Sequence, residues 1–380
     1  MEISGSGTPL DGPADNERAG SSAPDADRAA LTEGPVKKSL RAQRRAHRSD
    51  RPIRAVRAKP GAEQLRTAYL ELLKLTLCDL AGARTLSVTV SEDTSWPDSR
   101  VRWRELPEEE LSIRATGLDW PFSGLTMVGL KRLDELQACL EAVVAGGVEG
   151  DVIETGTWRG GASILARATL DSLGADERTV WLADSFRGLP TPDTERFPQD
   201  AHLDLSQVEF LAVPADEVRR HFSRFGLDHG VELVEGSFDE TLPQLRDRRW
   251  SVVRLDGDTY EATWIALDHL YPGLSEGGYL IVDDYGLIEP CRQAVDDYRR
   301  EHDIDEPVEW IDWMGIHWRR RDEPRPGTPR ATPAHVSRTG GSRAENGGSR
   351  TRIPSERELA LEVEVRRLRA LLALTEGMPE

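Results

Sequence analysis

The sequence predicts an α/β fold, a mostly parallel sheet with helices on both faces, and three observations carry that expectation. Short apolar runs bounded by turn residues alternate with stretches of helical spacing, as strands buried on both faces and joined by crossovers do. The first of these runs, residues 152–154, leads into the Gly-rich turn TGTWRGG, which opens a helix. Two later runs, 252–255 and 279–282, each end in acids, Asp256 and Asp258 after one and Asp283 and Asp284 after the other. The stretch between them has helical spacing through Trp264, Ile265, Leu267, Leu270 and Leu274. A strand, helix, strand unit of this length is a right-handed crossover, so the two carboxyl ends point the same way.

Composition narrows the setting. The chain has 380 residues and a net charge of −18, which disfavours nucleic acid and anionic membranes as partners. No apolar run approaches the length of a membrane span, and the first twenty residues lack the apolar core of a signal peptide, so a cytoplasmic location is expected. Cys78, Cys139 and Cys291 are widely spaced and lie in helical patterns. They are expected to be buried small hydrophobes, with neither a disulfide framework nor a zinc site.

In chain order, residues 1–60 have little to bury, and a basic run occupies their second half; they are expected to form a disordered tail. Leu65, Tyr69, Leu72, Leu73, Leu77 and Leu80 mark an amphipathic helix that either covers the active site or forms a dimer interface. The stretch from there to Gly117 reads as loop, and a helix follows through Leu133, Leu136, Leu140 and Val143. After the strand at 152–154, the glycines of the turn let the backbone approach a ligand, and free amides at the helix start meet its polar groups. The next strand, 179–183, closes on Asp184, where an acid grips a ribose diol by paired hydrogen bonds. That device points to adenosine and not to a reaction. Residues 185–211 lack periodicity and leave the ligand-binding edge of the sheet, so they are read as a substrate lid.

A helix through Val218, Phe222 and Phe225 precedes a third strand at 231–234, and Gly236-Ser237-Phe238-Asp239 then stands where backbone and ring contacts meet an adenine. The alternative is an ordinary turn with Phe238 in the core. Residues 308–311 and 316–318 read as a closing pair of strands, giving seven in all. Residues 321–353 form a polar linker, and within 354–376 Leu361, Val365, Leu368 and Leu372 form one apolar seam on a short helix.

The acids of the central unit admit two explanations. Asp starts turns and caps helices, which accounts for either pair alone. If the two strands are neighbours, however, Asp256 lies about 5 Å from the second pair, and carboxylates that close repel unless protons or a cation sit among them.

Taken together the sequence resembles the macrocin-type (TylF-like) O-methyltransferases, enzymes that methylate sugar hydroxyls on macrolides and related antibiotics. The resemblance covers about residues 65–320 and rests on DWP (119–121), TMVGLKRLD (126–134), GDVIETGTWRGGAS (150–163), ADSFRGLP (183–190), EGSFDETLP (235–243), LDGDTYEAT (255–263) and VDDYG (282–286). It implies a Rossmann-like class I methyltransferase fold, S-adenosylmethionine as methyl donor and a Mg²⁺ ion held by carboxylates. On that basis Asp256, Asp283 and Asp284 are the expected metal ligands and Asp256 the expected general base, with Asp258 the alternate. Glu154, Gly156, Asp184 and Ser185 are expected to hold the cofactor, Thr126 and Met127 to close over it, and Gly236, Ser237 and Phe238 to lie near adenine, with Asp256 beside it. Thr157 and Ser237 depart from the larger apolar residues usual at those positions. The implied partner is a small glycosylated acceptor, and a homo-oligomer is expected from the helical segment before the core and the C-terminal seam. Two other readings stay open: a metal-dependent glycosyltransferase using Asp256-Gly257-Asp258, and a non-catalytic adenosine-binding module.

Overall fold

A computed structural model describes residues 61–89 and 102–321. The expected N-terminal tail, the linker and the seam helix lie outside the described residues. Nine strands are present among the described residues, β1 (Leu86–Thr89), β2 (Arg102–Glu105), β3 (Asp151–Thr155), β4 (Val180–Asp184), β5 (Val231–Glu235), β6 (Trp250–Leu255), β7 (Leu274–Val282), β8 (Glu309–Trp310) and β9 (Ile316–Arg319). The α-helices are α1 (Ala62–Leu77), α2 (Leu111–Ala115), α3 (Gly129–Ala145), α4 (Gly161–Ser172), α5 (Ala215–Phe225), α6 (Phe238–Thr241), α7 (Tyr260–Leu270) and α8 (Glu289–Glu301).

Seven strands form one sheet in the order β5-β4-β3-β6-β7-β9-β8. The five from β5 to β7 are parallel, and β9 and β8 close the sheet antiparallel. This is the Rossmann-like class I methyltransferase sheet. The order reverses between β3 and β6, so both carboxyl ends open on one crevice, where doubly wound sheets bind ligands. Val152, Ile153, Val252, Val253 and Leu280 are fully or nearly fully buried, as strands with helices on both faces require. One apolar cluster lies under α1, α3, α4 and α5, and a second under α7 and α8 on the other face.

Three local expectations change. The stretch before Gly117 is not all loop: β1 and β2 pair antiparallel, and buried Arg114 of α2 ties this flap down by a bidentate bond to Asp119 (2.8 Å each) and by bonds to the Leu86 and Cys78 carbonyls. The runs there are only four residues long and carry several charges, which hides them from a periodicity reading. Leu274 belongs to β7 and not to the preceding helix, because Pro272 and Gly273 break the helix into a short 3₁₀ turn.

The third change concerns α1. It buries Leu70, Leu73 and Leu77 against the helix layer, and Lys74 pairs with Asp134 and with Glu71 (2.5 Å). Leu65, Tyr69 and Leu72 remain exposed at 56, 44 and 59 %. No residue of α1 lines the central cavity, so the helix is not a cover for it.

Candidate active site

A cavity of about 890 Å³ opens above the carboxyl ends of β3, β4, β5, β6 and β7, a volume suited to a nucleoside cofactor plus part of an acceptor. All the residues expected to hold the cofactor and the metal line it. Glu154 and Gly156 come from the end of β3, Asp184 and Ser185 from β4, and Gly236, Ser237 and Phe238 from β5 and the start of α6. Asp256 and Asp258 come from β6, Asp283 and Asp284 from β7, and Thr126 and Met127 enter ahead of α3.

The Gly-rich turn is built by close backbone approach. Gly156 has φ +78, and a Cβ there would lie 1.7 Å from the Asp256 carbonyl oxygen. Both features require glycine and keep the first turn against the end of β6. Asp184 clamps the same turn: its Oδ2 accepts from Thr157 N (2.7 Å) and Trp158 N (3.3 Å), and its Oδ1 from Phe186 N (2.8 Å). Ser185 Oγ donates to the Gly188 carbonyl (2.6 Å) and accepts from Arg187 N (3.0 Å), shaping the next loop. Phe238 unites the two alternatives: it packs on the second core cluster and also lines the cavity.

Residues 185–211 form a wall of the cavity through Leu189, Pro190, Leu205 and Leu211. Phe210 stacks on Trp120 (centroids 5.7 Å, planes 13° apart) and tilts against Trp158 (5.5 Å), whose Nε1 donates to the Phe210 carbonyl (3.1 Å). Further along, the Asp200 carboxylate accepts from Tyr260 N (2.7 Å) and Glu261 N (3.0 Å), capping α7 from another segment of the chain.

The floor is a buried charge network. Arg254, one residue from the carboxyl end of β6, donates to Glu154 Oε1 (2.6 Å), to Asp256 Oδ2 (2.8 Å) and to Asp283. Arg132 of α3 donates to Asp283 and to Asp312 (3.1 Å), so two guanidinium groups hold Asp283. Glu154 also accepts from Ser163. Burial drives the Glu154 carboxyl up to about 7 against the pull of Arg254. Burial and then Asp283 raise Asp256 to about 6, although its side chain stays a quarter exposed to the cavity. Asp284 is raised well above the usual range, first by burial and then by Asp258, Asp256 and Asp283.

One oxygen from each of Asp256, Asp283 and Asp284 falls within a 4.8 Å set. The two arginines neutralise Asp283, while Asp284 lies among acids. Such a surplus of buried, converging carboxylates fits a divalent cation with oxygen preference.

Arg254, Arg132 and Ser163 were not singled out from sequence. A signal existed for the first two: Arg254 interrupts a buried apolar run, and Arg132 falls in phase with Leu136, Cys139 and Leu140 on the buried face of α3.

Residues 66–320 match the family model Macrocin-O-methyltransferase (TylF). The chain belongs to this family. It is therefore an S-adenosylmethionine-dependent O-methyltransferase, and the glycosyltransferase and non-catalytic readings fall. Among characterised relatives, the chain is 44 % identical over 259 residues to 8-demethyl-8-(2,3-dimethoxy-alpha-L-rhamnosyl)-tetracenomycin-C 4'-O-methyltransferase of Streptomyces olivaceus, covering 68 % of this chain and 94 % of the relative. It is 42 % identical to demethyldecarbamoylnovobiocin O-methyltransferase of Streptomyces niveus, over 62 % of this chain and 90 % of that one. It is also 42 % identical to mycinamicin III 3''-O-methyltransferase of Micromonospora griseorubida, over 66 % and 96 %. The solved O-methyltransferase NovP shares 39 % identity with a TM-score of 0.58, covering 68 % of this chain and 100 % of that structure. Among the described residues no helix is long and apolar enough to cross a membrane.

Proposed function

We propose that this O-methyltransferase acts on a sugar hydroxyl of a glycosylated natural product, with Asp256 as general base and with Asp256, Asp283 and Asp284 holding a magnesium ion. The observation that carries the reading is the convergence of these three acids on the floor of the cavity that the Gly-rich turn also lines. The names of the relatives support the acceptor class: a rhamnosyl-tetracenomycin, a novobiocin precursor and a mycinamicin.

The chain's residues divide the work. Gly156, Asp184 and Ser185 shape the pocket floor for the nucleoside, Gly236 to Phe238 border the adenine end, and Thr126 and Met127 close the front. The bound cofactor supplies a methyl group on a sulfonium sulfur. A bound magnesium ion would make an acceptor hydroxyl more acidic and fix its position. Asp256 would take the proton of the acceptor hydroxyl, leaving the oxygen free to receive the methyl group that bound S-adenosylmethionine would supply. Before any ion binds, burial and the neighbouring Asp283 make the Asp256 carboxyl more basic than an ordinary aspartate, the direction a base requires. Arg254 fixes its Oδ2 through a 2.8 Å bond.

Asp256→Asn tests the assignment. Turnover should fall by about 10²-fold or more, while calorimetric affinity for S-adenosylmethionine stays near wild type. Loss of cofactor affinity instead would make Asp256 a structural residue. For the metal, chelation should abolish turnover and Mg²⁺ restore it, and Asp284→Asn should raise the Mg²⁺ concentration needed. Full activity after exhaustive chelation would remove the ion from the reading.

A further inference from the structure

Behind the catalytic cavity, and lining no part of it, Glu135, Cys139 and His317 converge between α3 and β9. Glu135 and Cys139 stand one helical turn apart on the same face of α3, with Cys139 Sγ 3.7 Å from Glu135 Oε1. His317 approaches from β9: its Nδ1 lies 3.8 Å from Cys139 Sγ and 2.8 Å from Glu135 Oε1. Its other nitrogen, Nε2, lies 3.6 Å from a carboxylate oxygen of Glu309 on β8.

The geometry points to a second metal site, for Zn²⁺ or a similar borderline-soft divalent cation, ligated by Glu135, Cys139 and His317 Nδ1 and open to a water as fourth ligand. Zinc bonds of about 2.3 Å to sulfur and about 2.0 Å to nitrogen or oxygen, at tetrahedral angles, place sulfur about 3.6 Å from its co-ligands and nitrogen about 3.3 Å from oxygen. The sulfur separations are already near that value. Only the pair from Glu135 to His317 must open, by roughly half an ångström on that geometry. The Glu135 side chain is 30 % exposed and free on one side to do so.

Glu309 stands on the far side of the His317 ring. A ligating histidine ordinarily donates its far N–H to a carboxylate, which fixes tautomer and ring orientation. His317 presents one nitrogen to the sulfur and Glu135, while the opposite nitrogen lies 3.6 Å from the largely exposed Glu309 carboxylate, ion-pair range and longer than a hydrogen bond, with the Tyr279 ring beside it (5.8 Å between centroids). Without metal, Nδ1–H donates to Glu135. The cation replaces that proton and the thiol proton of Cys139, so two protons leave as it binds.

The site is chemically separate from the acid cluster, since Asp256, Asp283 and Asp284 offer only oxygen and favour a hard ion. It is mechanically joined to it. Arg132, three residues before Glu135, holds Asp283, and His317 pairs with Ile281 two residues before Asp283. An ion here would staple α3 to the edge of the sheet that carries the catalytic acids.

The test uses the full chain, freed of metal by chelation and titrated with Co²⁺ as a spectroscopic stand-in for Zn²⁺. The expected result is a thiolate-to-cobalt charge-transfer band in the near ultraviolet that saturates at one equivalent and is displaced by Zn²⁺. The band should vanish in Cys139→Ser and in His317→Gln but persist in Asp284→Asn, and Zn²⁺ should raise the melting temperature of wild type but not of Cys139→Ser. Absence of the band in the folded wild type would reduce the cluster to an ion pair beside a buried thiol and overturn the proposal without recourse to any variant. A band that survives Cys139→Ser would belong to another cysteine and would overturn it equally.

Discussion

At the scale of single residues, Arg254 decides how the acids behave. Its guanidinium is buried among Glu154, Asp256 and Asp283, and those carboxylates hold it charged. Replacing it with methionine keeps the volume but leaves Glu154 and Asp256 without their cation and Asp283 with Arg132 alone. Breaking a buried pair in this way costs about 3–5 kcal/mol, so Arg254→Met should lower the melting temperature sharply and lose activity together with fold. Arg254→Lys keeps the charge but not the fork, which here spans three carboxylates, and should recover stability only in part. A melting temperature unchanged in the methionine variant would show that the network contributes little. The main acids were legible in the sequence because turn residues and parallel topology place Asp256 and Asp283 side by side, and the register, Leu255 opposite Val282, puts them there. The arginines were less legible, since a lone charge in an apolar run names no partner until the packing does. Glu154 and Asp184 illustrate the same limit. Their positions follow from the strand ends, but their bonds to Arg254 and Ser163, and to the turn amides, depend on distances that no spacing rule contains.

At the scale of elements, α5 braces the Gly-rich turn from outside the cavity. His221 on α5 is buried, and its Nδ1 lies 3.0 Å from the Arg159 carbonyl in the Gly-rich turn, a separation at which Nδ1–H donates. Burial holds its pKa below the ordinary 6.5, against the pull of that carbonyl and of Glu217. The sign follows directly. Above about 6.5 the ring is neutral in both folded and unfolded chains and the contact is intact; as pH falls through the depressed folded value, the unfolded chain has already bound a proton that the fold resists, and the contribution is lost. His221→Asn retains a donor for the Arg159 carbonyl and does not titrate, so its melting temperature should fall less between about pH 7 and about pH 5 than that of wild type. Parallel pH profiles would show that His221 is not the group responsible. The Asp200 cap on α7 offers a companion measurement: Asp200→Ala leaves the Tyr260 and Glu261 amides without acceptors and should cost about 1 kcal/mol or somewhat more. The helix itself was readable from Trp264, Ile265 and Leu267. Its cap was not, because the capping residue stands sixty positions earlier in a segment with no period of its own.

At the scale of the whole molecule, α1 presents a surface that no other described residue covers. Leu65, Tyr69 and Leu72 repeat at intervals of four and three and are all exposed, while Leu70, Leu73 and Leu77 on the other face anchor the helix to the body. The spacing of Leu65, Tyr69, Leu72, Leu73, Leu77 and Leu80 predicts one apolar face. The structure resolves two, and the division could not be read earlier because both stripes have helical spacing. An exposed stripe of large apolar residues on a helix with polar flanks is self-complementary about a two-fold axis, the commonest symmetry of soluble homo-oligomers. We propose that the homo-oligomer expected from the sequence uses this stripe, with α1 against α1 of a second copy. Each Leu-to-Glu change places a charge in a desolvated seam, a penalty of several kcal/mol when the charge has no partner. Leu65→Glu with Leu72→Glu should therefore convert the dimer to monomer in sedimentation velocity while circular dichroism and S-adenosylmethionine affinity stay unchanged, since no residue of α1 reaches the cavity. A wild-type chain that sediments as a monomer at high concentration would remove the dimer, and a double variant that still dimerises would move its interface elsewhere on the surface.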